Sequence, residues 1–350
     1  MSLVLQNAPR VPTPSELGGE LPRYVRVADR VLLVSPVFET YWRFAAERQA
    51  TYLRRQAGLP GPWSSDPVIR EHRFTNCYRA TDRVSQYLIR HVIYAGDQAA
   101  EEVAFRVLLF KIFNKISTWE ALSDALGELS WRGFDAERYA KVLGRLAGDG
   151  EALYSAAYVM PSPRLGFERK YRNHLALLER MLLDGVVAKL QRAATMREAF
   201  EVLRGYPGLG DFLAFQYLID LNYSEVLDFD EMDFVVAGPG AHSGLRKVFG
   251  LGAVGVEEQL IALMADRQQE FLQTLRLKFA WLEGRPLQLI DCQNLFCEVD
   301  KYARVAHPEI SGGTSRHRIK QRYVPASTAP EPVRFPPKWH TRVPDLDIEV

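Results

Sequence analysis

Tyr206-Pro207-Gly208-Leu209-Gly210 stands between two stretches of helical period, and its residue types suit a turn that cradles phosphate. Two glycines let the backbone bend sharply, and the N–H groups they free lie at the start of the next helix, where the dipole favours an anion. Contacts of this kind position a nucleic-acid backbone without reading its sequence. Gly208 and Gly210 are therefore candidate DNA-backbone contacts, with a tight interhelical turn as the plainer alternative.

Other polar sets could serve a base. In TNCYRATDRVSQYLIRHVIY, Asn76, Arg79, Arg83 and Gln86 share a helix face with Asp82 adjacent. Asn76, Arg79, Asp82 and Gln86 suit a pocket and Arg83 a phosphate, against the alternative of a solvated face. In QNLFCEVDKYAR an apolar stripe runs through Cys292, Phe296, Val299 and Ala303, so Gln293, Cys297 and Asp300 flank the core while Asn294 and Glu298 point away. The amide and carboxylate groups of Gln293, Asn294 and Asp300 fit the edge of an extruded base or the hydroxyls of an attached sugar, with ordinary buried hydrogen bonding the first account of any single one. Tyr78, Trp119, Phe212, Tyr217 and Trp339 could stack on a base. All but Trp339, which sits among prolines and basic residues, read first as core. Gly238 to Gly244, GPGAHSG, is glycine-rich but lacks the Lys-Ser/Thr of a GxxxxGK[ST] loop, which occurs nowhere in the sequence, so kinase activity is not expected of these residues. The segment reads as a turn that could form a second backbone nest. Seven histidines without an HxH or HExxH pattern and three cysteines without a CxxC pair predict no metal, and no cofactor is implied.

The elements that must hold these residues are mostly helices, because apolar residues recur at three and four. In PVFETYWRFAAERQATYLRRQ, Phe38, Trp42, Ala45, Tyr52 and Leu53 form one stripe, and AEEVAFRVLLFKIFNK is apolar almost all round, as a central buried helix is. RNHLALLERMLLDGVVAKLQRA and VEEQLIALMADRQQEFLQTL each read as one helix, DFLAFQYLIDL as another, and a short one is expected near MDFVVAG. Only VRVADRVLLVSP looks extended. The spacing predicts an all-α chain with an N-terminal extension over 1–35, a helical domain over 36–307 with its hairpin near 203–220, and a proline-rich arm over 308–350. The arm is basic: seven Lys or Arg between Ser311 and Val343 face one acid, Glu331, and Arg316, Arg318, Lys320 and Arg322 are its densest group. That local charge offsets the meaning of a formal net charge of only +1 over 350 residues, since phosphate contacts depend on where the cations lie. No basic start followed by an apolar run and no long apolar span is present, so a cytoplasmic protein with no membrane association is expected, and no obligate protein partner is evident.

The hairpin and the segment after it, over residues 200–240, resemble the helix-hairpin-helix DNA glycosylases. In that superfamily an aspartate about twenty residues past the hairpin, at the start of the next helix, lies beside a flipped nucleotide; Asp230 and Asp233 in DFDEMDFVV occupy that window. The resemblance implies that one of them stabilises an oxocarbenium-like sugar and orients water, whereas helix capping would also explain both. Phe212 stands where bifunctional members carry a Schiff-base lysine, which implies a monofunctional enzyme. A wider resemblance over 70–325, carried by FTNCYRATDRVSQYLI, FRVLLFKIFNKISTWE, GYPGLGDFLAFQYLIDLNYS, MDFVVAGPGA, LRKVFG and QNLFCEVDKY, is to the helical DNA-hypermodification family. That family includes the helical domain of 5-hydroxymethyluracil DNA kinases, the alpha-glutamyl/putrescinyl thymine pyrophosphorylases, and anti-phage glycosylases acting on glucosylated hydroxymethylcytosine. Together these imply a helix-hairpin-helix glycosylase-like core acting on double-stranded DNA with modified pyrimidines. The expected activity is monofunctional excision of such a base as antiviral defence. Transfer of an amine or amino acid to activated 5-hydroxymethyluracil is the alternative, and a non-catalytic DNA-binding module the third reading.

Overall fold

The computed structural model describes residues 22–158, 160–314, 316–324 and 331–344. Most of the expected N-terminal extension, and residues 325–330 and 345–350 of the expected arm, lie outside the described residues. In chain order the elements are β1 (Tyr24–Val27), β2 (Arg30–Leu33), α1 (Val37–Gln56), α2 (Pro67–Glu71), α3 (Arg83–Tyr87), α4 (Ala100–Phe113), α5 (Ile116–Leu126) and α6 (Ala136–Gly148). There follow α7 (Lys170–Leu183), α8 (Val186–Arg192), α9 (Met196–Arg204), α10 (Asp211–Asn222), α11 (Pro239–Phe249), α12 (Glu257–Asp266), α13 (Gln268–Thr274) and α14 (Leu289–Ala306). Among the described residues the fold is therefore all-α apart from one two-stranded antiparallel sheet, and that sheet falls in the one segment whose sequence looks extended.

Among the described residues the chain forms two compact units, one within Met1–Thr81, Val235–Val333 and Thr341–Val350, the other within Asp82–Phe234 with Arg334–His340. In the first unit, α1 buries Phe38, Trp42, Ala45, Tyr52 and Leu53, the stripe that its period predicts. Helices α11 and α14 pack closely because two glycines permit it. A Cβ at Gly244 would fall 2.1 Å from the Phe296 carbonyl oxygen, and one at Gly240 would fall 2.8 Å from Cys297 Sγ. Gly240 and Gly244 thus serve a helix contact within α11, where the sequence reads as a turn. The single helix expected over VEEQLIALMADRQQEFLQTL is two, α12 and α13, parted at Arg267.

The second unit is built on α4 and α10. Every residue of α4 from Glu102 to Phe113 is buried, as its all-round apolar sequence predicts, and so is every residue of α10 from Leu213 to Asn222. Buried charges on α4 have partners. Glu102 accepts the backbone N–H groups of Trp131 (2.6 Å) and Arg132 (3.1 Å), and Arg106 donates to the carbonyls of Val92 (2.9 Å) and Asp97 (2.7 Å). Such pairing offsets most of the desolvation cost of burying them. The helix expected over RNHLALLERMLLDGVVAKLQRA is broken into α7 and α8 by Gly185, whose φ of +68° suits a residue without Cβ. After α3 the helix widens to a π-turn over Leu88–Ile93. The extra residue in the turn rotates the face, so Leu88, Ile89, Val92 and Ile93 are buried while His91 is exposed.

Candidate functional site

The turn between α9 and α10 lies in the second unit. After α9, the Leu209 N–H donates to the Tyr206 carbonyl (3.1 Å), and Gly208 takes φ +85°, a conformation that side chains resist. Gly208 packs on the 161–163 segment, where its Cβ position is 3.5 Å from Pro163, whereas nothing lies within 4 Å of that position on Gly210. Gly210 is the N-cap of α10 and supplies no side-chain acceptor, so no side chain caps the first N–H groups of the helix.

Asp230 and Asp233 do not begin a helix. The segment between Asn222 and Pro239 is turn and irregular structure, braced by Asn222, whose amide bonds both the carbonyl (3.0 Å) and the N–H (2.9 Å) of Phe229. Both aspartates are exposed. The Asp230 carboxylate accepts the Met232 N–H (2.9 Å), and the Asp233 N–H donates to the Asp230 carbonyl (3.1 Å). The next helix begins instead at Pro239, behind Gly238, because DFDEMDFVV lacks a three-residue apolar period and closes on its own turn. The expected helix near MDFVVAG is thus absent and the carboxylates have local turn partners.

Several other candidates brace the fold. In the first unit, Asn76 is held by Arg48 and donates to the Thr81 carbonyl (2.8 Å), and Arg79 is buried with its N–H on Asp291 (2.7 Å). Gln293 is fully buried, its amide N–H 3.4 Å from Cys297 Sγ. Burial pushes that thiol up to about 12. Asn294 is half-buried on α14, and Glu298, expected to point away, is buried and accepts the Thr75 N–H (3.0 Å). Asp300 is not a free pocket carboxylate: Ser243 donates to it (2.7 Å), Lys247 lies 3.3 Å away, and Arg304 pairs with its other oxygen. In the second unit, Asp82 precedes α3 and its carbonyl accepts the Gln86 N–H (2.8 Å). The Gln86 side chain pairs in both directions with the backbone of Arg334 (3.0 and 2.9 Å), and Arg83 is exposed. The 334–340 stretch of the arm is therefore docked. Lys338 donates to the carbonyls of Ser224 (2.9 Å) and Leu227, with its pKa held below the ordinary lysine value by burial. Trp339 is not free: it meets the buried Tyr223 edge-on at 5.3 Å. Tyr78, Trp119 and Tyr217 are core. Arg316, Arg318 and Lys320 are exposed in the first unit, where Arg322 pairs with Glu71 (2.6 Å).

Sequence reasoning missed a polar centre in the second unit. Lys111 of α4 and Asp220 of α10 form a buried ion pair at 2.7 Å. The ring of Tyr158 covers the ammonium at 4.5 Å, and its hydroxyl donates to Gln216 Oε1 (3.2 Å). Gln216 is 1% exposed and its Nε2 has no hydrogen-bond partner. Phe212, one turn earlier on α10, leans on Tyr158 with ring centres 5.7 Å apart. Nearby, the fully buried His174 accepts from Tyr154 Oη (2.8 Å) at Nδ1 and donates from Nε2 to the Pro161 carbonyl (2.9 Å), and burial lowers its pKa to about 4. The available signal was the four-residue spacing of Phe212, Gln216 and Asp220 in an otherwise apolar helix. Among the described residues no group of three or more His, Cys, Asp or Glu could hold a metal, and no single helix is long and apolar enough to cross a membrane.

The family described as "5-hmdU DNA kinase, helical domain" matches residues 35–312. A 5-hmdU DNA kinase of Bacillus phage SP10 is 26% identical over 289 residues, covering 76% of this chain and 45% of its own length. The chain thus spans less than half of that curated relative. No solved structure matches. The relative is a kinase, hence a phosphoryl transferase, not a hydrolase of N-glycosidic bonds. With both aspartates in an exposed turn, this overturns the expectation of a DNA N-glycosylase.

Proposed function

Because the chain belongs to the 5-hmdU DNA kinase helical domain family, we propose that it acts in thymine hypermodification, on DNA carrying 5-hydroxymethyluracil. The observation that carries this reading is that the family match fills residues 35–312 with a sequence that holds no GxxxxGK[ST] loop. These residues therefore serve the base and its DNA rather than a nucleoside triphosphate. The reaction best suited to them is transfer of an amine or amino acid to a hydroxymethyl group already activated as a phosphate ester. The nucleophile's nitrogen forms a bond to the C5 methylene carbon, the carbon–oxygen bond breaks, phosphate or pyrophosphate leaves with the electron pair, and the nitrogen loses a proton to solvent. The glycosidic bond stays intact.

Backbone binding would come from the uncapped N–H groups after Gly210 and from exposed cations such as Arg83, Arg316, Arg318 and Lys320. The test is to incubate the full chain with DNA whose 5-hydroxymethyluracil carries phosphate or pyrophosphate on its hydroxymethyl oxygen, together with amino acids and polyamines. Digestion to nucleosides and mass spectrometry should show a new, heavier nucleoside that is absent when the DNA carries thymine. If the activated nucleoside is recovered unchanged with every nucleophile, the reading fails.

A further inference from the structure

We infer that Tyr158 occupies a slot built for an extruded uracil-type base, in which Gln216 and Lys111 read the base edge; the inference rests on the chain handling 5-hydroxymethyluracil DNA. Three observations converge on the slot, all within the second unit. The Gln216 amide is buried, yet half of it is unused: its oxygen takes the Tyr158 hydroxyl at 3.2 Å while its Nε2 has no partner. A buried donor left empty is rare in a folded core and marks a place where a ligand acceptor fits. The Tyr158 ring also has the contacts that a pyrimidine would have, with Phe212 leaning on it and the Lys111 ammonium 4.5 Å from its centre. Finally, the ring that fills the slot belongs to a half-buried residue in irregular backbone, whereas Lys111 and Gln216 stand on the buried helices α4 and α10. The plug can leave while the reading groups stay in place.

The donor set selects the base. Uracil presents acceptor, donor and acceptor along its pairing edge. Gln216 Oε1 would accept N3–H in place of the Tyr158 hydroxyl, and the idle Nε2 would donate to a flanking carbonyl. An amide alone could turn over and serve cytosine as well, but Lys111 lies over the Tyr158 ring and offers only donors, so a base tilted from the plane of that ring presents a second carbonyl for it to donate to, where the amino group of cytosine would be opposed. Asp220, 2.7 Å from Lys111, holds the ammonium in place. Phe212 lies in the first turn of α10, next to the N–H groups that follow Gly210, so a phosphate at the helix start and a base against Phe212 fit one nucleotide.

The probes are fluorescent single-stranded oligonucleotides, identical but for one central 5-hydroxymethyluracil, 5-hydroxymethylcytosine or N3-methylthymine, titrated with the full chain. The wild type should bind the uracil strand at least tenfold more tightly than the other two, and Gln216→Leu should bring the three to within about twofold. Tyr158→Phe keeps the ring and loses only the hydroxyl that fills the amide, so it should fold normally and bind the uracil strand severalfold more tightly than the wild type. Equal wild-type affinity for the three strands, a preference that survives Gln216→Leu, or a Tyr158→Phe affinity equal to wild type would each overturn the inference. Nucleoside transfer, read separately by mass, can persist without Gln216, so failure here is distinct from failure of the proposed reaction.

Discussion

Lys111 Nζ and an Asp220 carboxylate oxygen lie 2.7 Å apart with side chains 2% and 3% exposed, joining α4 to α10 at the centre of the second unit. Removing one partner leaves a charge in a dry interior, so Lys111→Ala or Asp220→Ala should destabilise the chain by about 3–5 kcal/mol. Replacing both, as in Lys111→Met with Asp220→Leu, should cost clearly less than either single change, because no lone charge remains. Urea unfolding of the three variants checks the order, and a double variant as unstable as the singles would deny the pair its role.

Gly244 lies against the Phe296 backbone, where an added Cβ would fall 2.1 Å from the carbonyl oxygen. Since neither helix backbone can yield cheaply, Gly244→Ala should cost on the order of 1–3 kcal/mol. Gly148, at the end of α6 with nothing within 4 Å of its Cβ position, is the matched control. Gly148→Ala should be neutral or slightly stabilising, because it restricts the unfolded chain. Thermal unfolding of the two variants should move in opposite directions or differ by several degrees.

His174 is fully buried, and its neutral ring satisfies both neighbours, accepting from Tyr154 and donating to Pro161. Burial lowers its pKa from 6.5 to about 4, so the folded state binds fewer protons than the unfolded state between these values. The associated stability is full above about pH 6.5 and is lost as pH falls toward 4, at up to about 1.4 kcal/mol per pH unit. Stability measured by denaturant across pH 4–7 should fall in that window, and His174→Gln should flatten the slope. An unchanged slope would mean that another group titrates.

Arg316, Arg318 and Lys320 are exposed cations on the first unit. On the proposed DNA-binding role, each phosphate contact removed should reduce the slope of log affinity against log salt by about 0.9 on duplex DNA. A variant with all three changed to Gln should lose roughly two to three units of slope while unfolding at the same urea concentration as the wild type. An unaltered slope would place the backbone contacts elsewhere.

Period and composition alone determined the helical class, the extended hairpin, the buried stripe of α1, the centrality of α4 and the glycine turn before α10, because each depends on residues near in sequence. The sequence also carried the family, through strings that agree in order. It misplaced features that depend on distant partners. The helix breaks at Gly185 and Arg267 and the π-turn at Leu88–Ile93 are choices of backbone that packing makes. Asp230 and Asp233 have the spacing of a site but close their own turn, and Gln86 and Asp300 have the chemistry of a pocket but meet Arg334 and the Ser243–Lys247–Arg304 group. Conversely, Lys111, Tyr158 and Gln216 lie 47 and 58 residues apart in the chain, and only the crossing of α4 and α10 brings them together. A side chain's type is local, but whether its polar atoms are spent or left unpaired depends on which distant backbone or side chain fills the space beside it, and tertiary packing alone decides that.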